Sequence, residues 1–248
     1  MTDRYLIVNA DDFGQSAGIN RGIIEAHERG IVTSASLLVR WPAAPEAAAY
    51  ARTHSTLSLG LHFDLGEWHF RNGRWSKLYE VIPEEDVNCV REEIQRQVSA
   101  FRRLANSEPA HLDSHQHVHR RPALAPVFLD IAGELNLPLR SYDPWIRYYG
   151  GFYGQDDSGN SLPGLITVDA LLKTLEELPG GFTELSCHPG YADSLDSMYC
   201  SERALEIETL CDPRVRRALA ANSIQLRSFI EACLLFADEA PLTWGRVQ

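Results

Sequence analysis

The sequence predicts an α/β fold, a TIM-like (β/α) barrel with about seven parallel strands. Short apolar runs alternate with helix-like segments along the 248 residues, the order expected of a parallel sheet with crossover helices. The count of about seven units, with this chain length, favours a barrel with one strand missing over an open Rossmann sheet. No GxGxxG or Walker sequence follows any strand-like run, which also counts against a nucleotide-binding fold. With no Pro/Ser-rich linker and no internal repeat, a single domain over residues 1–248 is expected.

The elements follow in order. Residues 5–12, YLIVNADD, form an apolar strand that runs into two adjacent carboxylates, Asp11 and Asp12. Ser16 caps a helix with Ile19, Ile23 and Ala26 on one face, ending at Gly30. SASLLVR (34–40) is a second strand, an Ala-rich helix covers 43–52, and LSLGLHF (57–63) is a third strand. Residues 64–82 read as a polar and aromatic loop. Pro83 opens a helix with Val87, Val90, Ile94, Val98, Phe101 and Leu104 at helical spacing. HLDSHQHVH (111–119) begins as a strand, a helix covers 124–135, and LPLRSY (137–142) is the next strand. A Gly/Ser/Asn-rich loop at 154–164 leads to a helix capped by Thr167. FTELSCH (182–188) is a strand, Asp212-Pro213 starts the last long helix, and IQLRSF (224–229) closes the series.

Composition narrows the function. With 44% hydrophobic and 23% charged residues, the chain is ordinary for a folded soluble protein. No apolar run reaches the length of a membrane span, and the acidic residues after the first short apolar run do not make a secretory signal. A cytoplasmic location is therefore expected. The five cysteines form no CxxC pair and suit a reducing compartment. A net charge of −11 argues against nucleic-acid binding and allows a neutral or cationic substrate or product. A homodimer is a base-rate expectation.

In a barrel of this kind the chemistry sits at the C-terminal strand ends, and the unusual polar residues fall there. They are Asp11 and Asp12, His62, the run Asp113, His115, His117 and His119, then Arg140 and His188. Two adjacent carboxylates raise each other's pKa unless a cation or hydrogen-bond donors offset the repulsion. Along 113–119 alternate residues would line one wall, separated by roughly 6–7 Å, so at most one or two of them reach a single ion. Glu184 lies further back on its strand and is expected to pair with a buried Arg inside the barrel. Three Asp or His ligands plus an open position make a catalytic metal site rather than a structural one. Such a metal lowers the pKa of water and polarises a carbonyl, a neighbouring carboxylate takes the proton, and a His across the pocket protonates a leaving amine. These are the parts for metal-assisted amide hydrolysis.

NADDFG at 9–14, GIVTSASL at 30–37, GLHF at 60–63, HLDSHQHVH at 111–119, FYG at 152–154 and CHPG at 187–190 resemble, in motif and in order, the YdjC/ChbG-like carbohydrate deacetylases. The resemblance covers residues 5 to 190. It implies an irregular (β/α) barrel related to the polysaccharide deacetylases and one divalent metal, with Zn²⁺ first and Mg²⁺, Co²⁺ or Mn²⁺ as alternatives. By position the metal ligands would be Asp12, His62 and His115, the base Asp11, and the general acid His188. Arg140 would support the catalytic set by orienting Asp11. Gln116 replaces a His common in the family and is expected to face away from the ligand wall. The substrate implied is an N-acetylated sugar, either a chitooligosaccharide or a GlcNAc-containing glycoconjugate. Trp68, Trp75, Trp145, Tyr148 and Tyr153 are candidate platforms for sugar rings. Rival readings are a metal-dependent phosphoesterase, a sugar isomerase, and a non-catalytic carbohydrate-binding protein. The first would want more Arg or Lys at the rim, the second a catalytic Lys or more carboxylates, and the third no base and acid.

Overall fold

A strand of buried residues organises the molecule. In the computed structural model, which describes residues 3–71, 73–192, 195 and 197–239, β1 (Arg4–Phe13) is buried from Leu6 onward. Its apolar residues on both faces leave no solvated side, as a central parallel strand requires. It pairs along its length with β8 (Gly181–Cys187). On its other edge it pairs first with β9 (Ile224–Leu226), then with β2 (Ser34–Leu37). Beyond β2 lie β3 (Ser58–Phe63) and β6 (Leu112–Ser114), and beyond β8 lies β7 (Ile146–Tyr149). The seven strands of this sheet are all parallel, as the sequence predicts. Among the described residues the strand path ends at β6 and β7, so the barrel they form is open.

Helices cover the sheet. α1 (Ala17–Glu28) starts at Ser16, whose side chain accepts from Ile19 N, and buries Ile19, Ile23 and Ala26. α2 (Ala44–Thr53) lies against β2, and α3 (Val87–Ala105) buries Val90, Ile94, Val98 and Phe101. α3 begins four residues after Pro83 because Asp86 accepts from the Asn88 and Cys89 amides, an N-cap stronger than the proline signal. α4 (Ala125–Leu135) falls where expected, and α5 (Val168–Glu177) is capped by Thr167.

Four expectations are corrected. Residues 64–82 are not a loop: β4 (Gly66–Arg71) and β5 (Arg74–Glu80) form an antiparallel hairpin, with Trp68 opposite Lys77 and Phe70 opposite Trp75. The fourth-strand segment stops at Ser114, because Gln116 and His117 adopt left-handed φ values of 49° and 52° and the chain turns into a 3-10 helix at His115–Arg120. Segment 137–142 contributes a single bridge, Leu112 to Leu139, rather than a strand, and Ser141 follows at φ 67°. Asp212-Pro213 does start a helix, capped by the Asp212 side chain, but that helix is short and not the last. α6 (Ser201–Cys211) and α7 (Pro213–Ala221) precede β9, and α8 (Phe229–Glu239) follows it. No helix among the described residues is long and apolar enough to cross a membrane.

Candidate active site

The two carboxylates at the end of β1 reach the same cleft because the strand breaks between them and its neighbour. Asp12 has φ 68°, and the register with β2 slips between Ala10 and Phe13. Consecutive strand residues otherwise point to opposite faces, and a bulge re-aims one of them. The break begins at Asp12. Gly14 completes it at φ 92°, where a Cβ would lie 2.9 Å from Ala44 Cα.

Asp12, His62 and His115 meet at the cleft floor. Their candidate ligand atoms lie within 4.8 Å of one another. Asp12 Oδ1 faces both rings, 3.1 Å from His115 Nδ1 and 3.5 Å from His62 Nε2. Its other oxygen, Oδ2, accepts from Arg203 Nη2 at 2.6 Å. His62 Nδ1 donates to Asp113 Oδ1 at 2.8 Å, and Glu67 Oε2 lies 3.7 Å from His115 Nε2. A carboxylate behind each imidazole is the arrangement that orients metal-ligating histidines. One Asp with two His suits a divalent cation, and a single Asp12 oxygen stands between the two rings, so the donor set fits a metal. Burial alone would lower the His62 pKa, but Asp113 and then Asp12 and Asp11 lift it to about 9. His115 is likewise raised by Asp12 and Glu67 against its burial.

A second acidic group, Asp11, His62 and Asp113, is also close enough to hold an ion, but a side-chain cation already serves it. Arg140, fully buried, donates Nη1 to Asp11 Oδ2 at 2.6 Å and Nη2 to Asp11 Oδ1 at 2.7 Å. The same group lies 2.9 Å from Asp113 Oδ2, and its Nε donates to Glu184 Oε1 at 2.7 Å. Glu184 is thus the interior partner of a buried Arg that its strand position predicts. Burial would raise the Asp11 pKa, yet the Arg140 charge and hydrogen bonds hold it below the usual carboxylate value. Asn9 and Ser186 also donate to Asp11, at 2.9 and 3.4 Å.

His188, at the end of β8, brings Nε2 to 3.7 Å from Asp11 Oδ2. Burial pushes its pKa down to about 4, against the pull of Asp11 and Asp12, so the ring is neutral at neutral pH. Its backbone N–H donates to Glu206, and its carbonyl accepts from Arg203. Arg203 and Glu206 sit on α6 and were not foreseen. The available signal was two charged residues on the same helical stripe as Ile207 and Leu210.

His115, His117 and His119 do not share a wall. His117 turns into the cleft, with its Nε2 3.2 Å from the Tyr148 hydroxyl. His119 is buried beneath, its Nδ1 2.6 Å from Ser114 Oγ. Gln116 does not face away: its amide accepts from Trp68 N at 2.8 Å and donates to Trp68 O at 2.7 Å, tying the hairpin to the cleft. The cleft above these groups measures about 680 Å³, and Trp68, Trp75, Tyr148 and Tyr153 line it. Trp145 lies elsewhere, packed 5.7 Å from the Phe236 ring.

The chain has relatives over most of its length. It is 33% identical over 249 residues to a carbohydrate deacetylase of Geobacillus stearothermophilus, covering 92% of this chain and 98% of that one. It is 33% identical over 258 residues to a chitooligosaccharide deacetylase of Serratia marcescens, with the same coverage. Among solved structures, a protein of Enterococcus faecalis V583 superposes with a TM-score of 0.73 at 27% identity, covering 92% of this chain and 98% of that one. A family 4 carbohydrate esterase from Streptomyces lividans, at 14% identity and a TM-score of 0.55 over 91% of this chain and 93% of that one, shares the fold. The family model for YdjC-like protein matches residues 5–221, and with this fold and these relatives the chain belongs to the YdjC-like family.

Proposed function

We propose that the chain is a metal-dependent hydrolase that removes acetyl groups from N-acetylated sugars. The observation that carries this reading is the convergence of Asp12, His62 and His115 on a cleft floor that also holds an ionised Asp11 and a neutral His188. The names of the Geobacillus and Serratia relatives support the substrate class. Asp12, His62 and His115 would hold one divalent metal, Zn²⁺ first on donor chemistry. When bound, that metal supplies Lewis acidity to the acetamide carbonyl and to the attacking water.

The chain's own groups do the proton work. Asp11 takes a proton from the attacking water. Held by Arg140, it is a poor resting place for that proton, which favours passing it to His188 Nε2 nearby. His188 is neutral at rest, so it becomes the acid only after receiving this proton and then delivers it to the departing amine. Arg140 keeps Asp11 ionised and aimed. Trp68, Trp75, Tyr148 and Tyr153 offer ring faces for sugar. Arg140 and Arg203 are engaged by buried carboxylates, which disfavours a phosphoesterase. A cytoplasmic setting suits the five free cysteines.

The test is acetate release from a panel of N-acetylated mono- and oligosaccharides, with Zn²⁺, Co²⁺ or Mg²⁺ added to chelator-treated protein. Metal-dependent release from at least one member is expected. No release from any member by metal-loaded protein defeats the reading and favours a sugar-binding role.

A further inference from the structure

We infer that one turn of α6 positions both sides of the site, with Arg203 as its principal positioning residue; this rests on the roles proposed for Asp12 and His188. Arg203 is 2% exposed. Its guanidinium has three acceptors: Asp12 Oδ2 from Nη2 at 2.6 Å, the His188 carbonyl from Nη1 at 3.3 Å, and the Tyr199 carbonyl from Nε at 2.8 Å. A planar guanidinium presents its donors in fixed directions, so the Asp12 carboxylate and the His188 backbone are held in one frame. Glu206, three residues on and on the same helix face, accepts from the His188 N–H and from the Tyr199 hydroxyl. His188 is therefore held at both its N–H and its carbonyl by a single helical turn.

The opposite side of the same loop is fixed by α1. A Cβ on Gly22 would lie 2.4 Å from Gly190 Cα, and the Tyr191 amide donates to Gly18 O at 3.1 Å. The His188–Tyr191 segment is thus sandwiched between α1 and α6. Its freedom to move the imidazole relative to Asp11 depends on Arg203 and Glu206. By occupying Oδ2, Arg203 also leaves Asp12 a single oxygen, Oδ1, turned toward His62 and His115. None of the resemblance motifs includes residues 203 or 206.

The experiment compares wild type, Arg203→Met, Arg203→Lys and Glu206→Gln. Folding is checked by circular dichroism, Zn²⁺ affinity by chelator competition, the Co²⁺ form by its visible absorption, and kcat and KM separately at saturating metal. Arg203→Met is expected to lose about 10- to 100-fold in Zn²⁺ affinity, as for other groups that orient ligands, with a changed Co²⁺ spectrum. Its kcat falls on the order of 100-fold from misplacement of His188, while KM stays within about threefold because uniform binding is untouched. Arg203→Lys, which keeps the charge but not the fork, recovers most of the Zn²⁺ affinity and little of the kcat. Glu206→Gln lowers kcat with Zn²⁺ affinity unchanged. A folded Arg203→Met with wild-type Zn²⁺ affinity, or with wild-type kcat at saturating metal, overturns the inference. If Arg203→Met does not fold, the Arg203→Lys and Glu206→Gln split decides, and equal kcat in both and wild type overturns it. If wild type releases no acetate, the proposed function fails, and the Zn²⁺ affinity and Co²⁺ spectrum still decide for or against the Arg203 frame.

Discussion

Arg140 grips Asp11 through two parallel hydrogen bonds, of 2.6 and 2.7 Å, while its remaining donors serve Asp113 and Glu184. Removing one partner of a buried ion network leaves the others uncompensated and costs about 3–5 kcal/mol. Arg140→Met strands three carboxylates, so it is expected to lose at least that much in denaturant unfolding. Arg140→Lys keeps the charge without the fork and should lose less. A wild-type unfolding midpoint for Arg140→Met would contradict this account.

Asp11→Asn keeps the size of the side chain and removes the proton acceptor. It is expected to bind Zn²⁺ with wild-type stoichiometry while kcat falls by about 10²-fold or more. Loss of the metal from this variant would mean that the roles of Asp11 and Asp12 are exchanged.

Metal uptake should expel protons. In the metal-free chain His62 has a pKa lifted to about 9 and His115 is raised as well, so both rings are charged at neutral pH. A metal must displace those protons, so affinity should climb as pH rises from 7 to 9. Calorimetry in two buffers of different ionisation enthalpy should report roughly two protons released per Zn²⁺ at pH 7. Heats that do not depend on the buffer would refute it.

Gln116 fastens the β4–β5 hairpin through its paired bonds to Trp68. Gln116→Ala should leave Zn²⁺ affinity unchanged and loosen the hairpin, seen as faster amide exchange across residues 66–80. KM for oligosaccharides should rise about threefold or more while kcat holds, because the hairpin carries Trp68 and Trp75. Unchanged exchange would show that the hairpin holds itself.

Asp143 lies away from the cleft. Burial raises its pKa to about 6, against the pull of the Trp145 and Ile146 amides, and its Oδ2 has no hydrogen-bond partner among the described residues. A folded value above the unfolded one near 3.8 means that the stability tied to this group is present below pH 3.8 and lost as pH rises through about 6. Relative to wild type, Asp143→Asn should therefore gain about 1–2 kcal/mol between pH 4 and 7. A pH-independent difference in melting temperature would discount the burial of this carboxylate.

The parallel sheet was legible because its strands are buried on both faces and read as apolar runs bounded by turn residues. The capped helices at Ser16 and Thr167 were legible for the same local reason. The side chains that meet on the cleft floor could be named because each stands at the C-terminal end of a strand. What escaped depended on backbone torsion or on distant partners. Gln116 and His117 turn left-handed where alternation predicted a straight strand, and nothing in HQHV announces it. The hairpin did carry a signal, Asn72-Gly73 between FR and RW, a dipeptide typical of tight hairpin turns, but polar residues around it read as loop. Arg203 and Glu206 sit in an ordinary amphipathic helix; the importance of Arg203 comes from Asp12, 191 positions away, and that of Glu206 from the His188 backbone, 18 positions away.

β1 occupies the middle of the sheet, yet Asp11 and Asp12 are neutralised by Arg140 and Arg203, the second of these 191 positions downstream. As the chain leaves the ribosome, its first strand emerges with two charges it cannot bury. A stable interior around β1 must wait until α6 has been made. Such long sequence separation slows folding and prolongs exposure of sticky intermediates. Nascent chains halted before α6 should accordingly depend on chaperones more than those halted after it.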